Sequence, residues 1–233
     1  MLKAAGLNTY YGQAHILSDV GLEVGRGQVV VLLGRTGAGK STTMKSIMGL
    51  APARSGTVSF MGQSIGGLAP FQVAKLGLGY VPEDRRIFTD LTVMENLEVG
   101  RQPKRAGVPE WTAEKLFRLF PNLGEMRNRP GGRMSGGEQQ MLTIARTLMG
   151  NPSCILLDEP SEGLAPVIID QMAAAIGELK REGVSVLLSE QNLHFATEVS
   201  DRAYIIEKGR IRFSGSIADL QANEEVRTTY LAL

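Results

Sequence analysis

The sequence predicts an α/β fold: a mostly parallel sheet covered by helices, with an N-terminal antiparallel β layer and a helical insertion. Three observations carry this. Short apolar runs at 29–33, 155–157, 184–188 and 204–206 are separated by helical segments. Strands buried on both faces of a parallel sheet read this way. A glycine-rich turn, 34–42, leads from the first run into a helical pattern at 41–50. From Glu83 to about Arg133 the texture changes, with helical patterns at 92–99 and 112–120 between Pro- and Gly-bearing loops.

The remaining elements follow in order. Residues 17–24 alternate loosely and read as a strand. The run 56–60 reads as another, after the turn-like Arg54-Ser55-Gly56. A short apolar run, 78–81, is stopped by Pro82. The strands before Val29 are expected to form the separate antiparallel layer. One domain of 1–233 is expected, with a core of 1–83 and 151–233 and a helical subdomain at about 84–150. No repeat of solenoid length and no low-complexity tract occurs.

Composition narrows the function classes. The 25 basic and 24 acidic residues leave a net charge of +1, which argues against a broad nucleic-acid-binding face. The single cysteine, Cys154, sits in an apolar run and permits no disulfide framework, which fits a reducing compartment. No secretory leader is expected at the N-terminus. No apolar run approaches the ~20 residues that span a bilayer, so a membrane link is expected to run through another protein.

The segment Gly34-Arg35-Thr36-Gly37-Ala38-Gly39-Lys40-Ser41-Thr42 fits a phosphate-binding loop. Its glycines let the backbone wrap an anion with N–H groups pointing inward. The helix that follows adds its positive end. Lys40 is placed to reach β- and γ-phosphates, and the Ser41 hydroxyl to hold Mg²⁺. Ser135-Gly136-Gly137-Glu138 opens a second helix. Locally it is a capping box, Ser135 with Glu138, followed by an amphipathic pattern. Two glycines cost such a helix about 1 kcal/mol each against alanine, which makes sense where something approaches the backbone closely. A third segment, Cys154-Ile155-Leu156-Leu157-Asp158-Glu159, delivers two carboxylates at the end of an apolar strand. Open α/β sheets bind ligands at that end.

Taken together and in this order, the three segments resemble the phosphate loop, the signature sequence and the Walker B segment of ABC-type ATPases. The resemblance implies a phosphate-loop NTPase fold of ABC type, with ATP and Mg²⁺ as nucleotide and metal. It implies Asp158 as metal support and Glu159 as the group that polarises the attacking water. Tyr11, before Gly12, sits where such ATPases stack an aromatic on adenine; the adjacent Tyr10 leaves the register open. Glu83 stands where the family usually has a glutamine that touches Mg²⁺ and the γ-phosphate. Gln191 stands where most members have a histidine; an amide donates to phosphate but cannot carry the extra proton. His194, one turn on, reads as a helix-face residue.

These departures, with Ser161-Glu162-Gly163-Leu164-Ala165-Pro166, resemble one subfamily over nearly the whole chain: the smaller ATPase of branched-chain amino acid importers. The resemblance implies a head-to-tail pair with a sibling or identical ATPase. Ser135, Gly136, Gly137 and Glu138 of one subunit would cap the γ-phosphate held by Lys40 and Thr42 of the other. It further implies two multispanning permease subunits, an indirect solute-binding partner, no nucleic acid, and a peripheral seat on the cytoplasmic face of the inner membrane. Residues 85–100, with Phe88, Leu91, Val93 and Met94, are expected to dock permease loops. The ATPase of a lipid exporter and a non-transport ABC-type ATPase remain alternatives. No Asn-Lys-x-Asp guanine reader is present to favour a GTPase.

Overall fold

The computed structural model describes residues 1–231. Its strands are β1 (Leu2–Tyr11), β2 (Ala14–Val24), β3 (Val29–Leu33), β4 (Ser55–Phe60), β5 (Gln63–Ser64), β6 (Leu78–Val81), β7 (Cys154–Asp158), β8 (Ser185–Glu190), β9 (Arg202–Glu207) and β10 (Arg210–Ser216). The helices are α1 (Lys40–Ile47), α2 (Pro70–Lys75), α3 (Val93–Gly100), α4 (Ala113–Leu119), α5 (Pro121–Glu125), α6 (Gly136–Leu148), α7 (Pro166–Arg181), α8 (Leu193–Val199), α9 (Ile217–Ala222) and α10 (Glu224–Leu231).

Two sheets organise the chain. The antiparallel layer runs β2-β1-β4-β5 and the larger sheet runs β10-β9-β3-β8-β7-β6. In the larger sheet β9, β3, β8, β7 and β6 are parallel; β10 closes one edge as an antiparallel hairpin with β9. The apolar runs are explained by their two faces. Val29, Val31 and Leu33 point into a core shared with α6, α7 and α8. Val30 and Leu32 point into a second core built with α1 and the antiparallel layer. Both faces being buried, the period-2 alternation of a half-exposed strand never develops.

The antiparallel layer is larger than the sequence reading expects. β1, assigned no strand there, is its second member, and β4 and β5 join it after β3. β1 escapes because its register with β2 shifts at three places, which scrambles the buried-exposed alternation. β10 escapes because it is an edge strand carrying two arginines and a glycine. The expected helix at 41–50 runs from Lys40 to Ile47.

Between β6 and β7 the described residues form helices α3 to α6, with one isolated bridge, Thr92↔Pro130, and no strand. α3 starts at a reciprocal cap: Glu95 N donates to Thr92 Oγ1 at 3.2 Å, and Thr92 N to the Glu95 carboxylate at 2.8 Å. Buried Asn96 then ties the preceding loop down. Its Nδ2 donates to the carbonyls of Phe88, Leu91 and Thr92, and its Oδ1 accepts from Phe88 N. Asn151 stitches the far end, accepting from Trp111 N at 2.8 Å and donating to Gln102 O at 3.0 Å.

Candidate nucleotide site

The strands β3, β7 and β8 end side by side, and β6 follows beyond β7. From Leu33 the chain turns at Gly34, whose amide donates to Glu190 O. A Cβ on Gly34 would lie 2.5 Å from Ile206 O, so only glycine fits there. The loop closes at Gly39 with φ of 115°, a conformation L side chains rarely adopt. α1 therefore starts with no side-chain cap and no acidic residue in its first turn. Its end is a ready anion seat.

Lys40 turns inward. Its Nζ donates to Gly34 O at 2.7 Å and Arg35 O at 3.1 Å, and pairs with Glu159 Oε1 at 3.0 Å. The two side chains are only 2% and 8% exposed. A pair this deep pays heavily in desolvation, which makes it poor value for stability alone. Glu159 holds a left-handed φ of 46°, a strained conformation of the sort that clusters at functional sites. Its second oxygen accepts from Gln191 Nε2 at 2.6 Å, and Gln191 Oε1 accepts from Thr36 Oγ1 at 3.0 Å. Thr36, Gln191, Glu159 and Lys40 thus form one polar chain from loop tip to loop base.

Asp158 is held differently. Oδ1 accepts from Ser41 Oγ at 3.0 Å and Ser189 Oγ at 2.7 Å, and Oδ2 from Tyr80 OH at 3.1 Å. Burial, reinforced by the Asp158 charge, pushes the Tyr80 phenol above its ordinary range, so it stays a proton donor. Ser41 and Asp158 supply hard oxygen donors side by side. Among the described residues no cluster of three His, Cys, Asp or Glu side chains could cage a metal alone. That donor set fits Mg²⁺, which takes one or two protein ligands and fills its shell with phosphate and water oxygens.

Glu83 is exposed just past β6, beside a cavity of about 180 Å³ that Tyr80 and Asp158 also line. Glu162, absent from the expected site, lies close to Glu83 and Glu159. Partial burial first, then these two charges, raise its pKa. Glu190 is a further residue the sequence reading passed over. Its buried carboxylate accepts the backbone N–H groups of Ser161, Gln191 and Asn192, fixing the turn that presents Gln191. Burial raises its pKa despite these bonds. Ser189 and Tyr80 were missed because neither belongs to a local motif. His194 is exposed on α8, away from this network.

The two tyrosines separate cleanly. Tyr10 is engaged within the antiparallel layer, stacked on His15 at 4.1 Å with Arg54 over its ring at 4.1 Å. Tyr11, at the turn into β2, is 49% exposed. The second helix start also forms as expected. Glu138 N donates to Ser135 Oγ at 3.3 Å and Ser135 N to Glu138 Oε2 at 2.7 Å. Both glycines lie close to side chains of this same chain: a Cβ on Gly136 would meet the flexible end of Arg85, Nη1, at 2.8 Å, and one on Gly137 would meet Ile168 at 3.1 Å. Among the described residues no hydrogen bond joins 135–138 to 34–42.

Two residues of the expected docking stretch, Val93 and Met94, need correction. Val93 is fully buried and Met94 packs against the core, because α3 turns that face onto α6. Four exposed apolar residues, two of them from this stretch, line a groove of about 560 Å³. Phe88 and Val99 come from one side, Leu50 and Phe71 from the other.

A parallel sheet feeding a glycine-rich loop and an uncapped helix, with a buried lysine–carboxylate pair beneath, defines a phosphate-loop nucleotide-binding protein. The ABC transporter family matches residues 17–162. The chain is 44% identical over 231 residues to the high-affinity branched-chain amino acid transport ATP-binding protein of Pseudomonas aeruginosa, covering 99% of each. It is 35% identical to the lipopolysaccharide export system ATP-binding protein of Haemophilus influenzae, over 99% of this chain and 97% of that one. A crystal structure of a nucleotide-free ATP-binding cassette from an ABC transporter superposes with a TM-score of 0.83 at 28% identity, covering 97% and 96%. The chain belongs to the ABC transporter family, as one of its ATPases.

Proposed function

We propose that this ATPase powers a membrane importer for branched-chain amino acids or related small polar solutes. The observation that carries the cargo class is the 44% identity over nearly the whole chain to an ATP-binding protein of branched-chain amino acid transport. The lipid-export alternative has the 35% relative in its favour. Against it stands Gln191, paired to Glu159 where the wider resemblance would put a histidine.

In this reading ATP lies on 34–42, with adenine on Tyr11. The triphosphate takes the place of Glu159 on Lys40, and Glu159 is released to act as general base toward water. Ser41 and Asp158 hold Mg²⁺, and Glu83 accepts from its water shell. Mg²⁺, when bound, neutralises charge on the β- and γ-phosphates. Gln191, freed with Glu159, offers its amide to the γ-phosphate. Ser135, Gly136, Gly137 and Glu138 serve the nucleotide of a second ATPase, sibling or identical, so closure needs two chains. The core of 1–83 and 151–233 and the helical subdomain of about 84–150 move as the two lobes around the groove; residues 232 and 233 lie outside the described structure.

The groove seats a permease segment. Its exposed apolar residues, with Phe71 at 63%, form a concave surface of the kind that takes a partner helix. No described helix is long and apolar enough to cross a membrane, so two permease subunits would hold the ATPase at the cytoplasmic face, with a solute-binding protein acting on the far side. Gentle purification from native membranes tests this: two multispanning subunits and a second ATPase are expected. A soluble monomer turning over ATP with a complete site would sink it.

A further inference from the structure

Asp158 is clasped by three hydroxyls from three elements: Ser41 on α1, Ser189 on β8 and Tyr80 on β6. Tyr80 and Ser189 differ in their surroundings. Ser189 is fully buried between strands. Tyr80 is half-buried, and it lines both the small cavity beside Asp158 and the large groove. Arg86 also lines both, but its guanidinium is turned to Asp84. Tyr80 is thus a groove-wall side chain whose polar end touches Asp158.

Its freedom is limited. β6 is fixed by parallel pairing to β7, with Tyr80 opposite Leu156. Only the side-chain torsions remain free. The phenol is also the sole hydroxyl on Oδ2, because Ser41 and Ser189 both address Oδ1. Losing it frees one side of the carboxylate to rotate. Mg²⁺ demands near-ideal octahedral geometry, so the angle at which Asp158 is presented matters.

We propose that Tyr80 is a positioning residue that links what sits in the groove to how Asp158 is presented to Mg²⁺, a step that rests on the groove being the permease seat. The test measures affinity for a fluorescent ATP analogue, in Mg²⁺ and in EDTA, for the isolated subunit and for the assembled transporter. Tyr80→Phe keeps the ring and removes the hydroxyl. It is expected to match wild type in EDTA and to lose about three- to tenfold of the gain that Mg²⁺ confers. In the wild type, assembly is expected to shift the Mg²⁺ half-saturation point, and in Tyr80→Phe that shift is expected to disappear; no shift in the wild type overturns the link to the groove. Ser189→Ala removes a donor to Asp158 and leaves the groove lining unchanged, so it is expected to weaken the Mg²⁺ gain and keep the shift.

An undiminished Mg²⁺ gain in Tyr80→Phe overturns the proposal. So does an equal loss in EDTA and Mg²⁺, which would mean packing alone. A shift on assembly that survives in Tyr80→Phe overturns the link to the groove. Leu50→Asp and Phe71→Asp check the seat separately. If they leave assembly intact, the docking site is elsewhere, whatever Tyr80→Phe does to Mg²⁺ dependence in the isolated subunit.

Discussion

The starts of α1 and α6 are both glycine-rich and both offer backbone N–H groups, yet they are finished in opposite ways. α1 has no side-chain cap, and the charge of Lys40 beside it is satisfied within the chain by Glu159 and two carbonyls. α6 is capped reciprocally by Ser135 and Glu138, with Ser135 exposed. The first is an uncapped helix end whose lysine is locked by groups of its own chain. The second is a stable helix end that faces outward and has no hydrogen bond to the first. In the proposed function a ligand unlocks one and is brought to the other.

Breaking the lock gives the largest expected effect. Glu159→Gln should lower ATP turnover by ~10²–10⁴-fold, the usual contribution of a general base, while nucleotide affinity holds or rises because Lys40 is released. Steady-state turnover beside a nucleotide titration separates the two, and normal turnover removes Glu159 from the chemistry. Lys40→Met leaves Glu159 buried without its cation. Urea unfolding should show a loss of about 3–5 kcal/mol, with much of it recovered in Lys40→Met/Glu159→Gln.

The open helix end should behave otherwise. Gly136→Ala sets a Cβ against the flexible end of Arg85, on the face that the second chain is proposed to meet. Turnover should fall about tenfold or more, with affinity of the single chain for a fluorescent nucleotide unchanged. A matching loss of affinity would mean that the two helix ends serve one nucleotide within one chain. Tyr11→Ala should weaken ATP binding by about 1–3 kcal/mol, the range for one base stacked on an aromatic, while Tyr10→Ala should act through folding of the antiparallel layer.

The smallest effect concerns pH. A carboxyl whose folded pKa is raised binds its proton more tightly in the folded state, so its contribution to stability falls as pH rises through the carboxylate range. Glu162 is such a group. Glu162→Gln should flatten that part of the profile of melting temperature against pH. An unchanged profile would mean that Glu162 is not crowded by Glu83 and Glu159.

What could be read in the sequence follows from sequence distance. The loop 34–42 and the cap at 135–138 are local backbone devices, so their residue order spells them out. The strands 29–33 and 154–158 show because burial on both faces makes them uniformly apolar. β1 is hidden by its bulges and β10 by its edge position. The clasp on Asp158 is hidden for another reason: Tyr80 and Ser189 reach it from 78 and 31 residues away. Only the order β8-β7-β6 in the sheet makes them neighbours. The choice between Tyr10 and Tyr11 likewise needed His15 and Arg54 in place.

Cys154 opens a practical route to these tests. The only thiol of the chain is sealed in β7, and burial pushes its pKa up to about 12. Thiol-reactive dyes should therefore pass over the native protein. With Val99→Cys, on the rim of the groove, the dye would sit at one position, and its emission would test whether a membrane partner reaches the proposed seat.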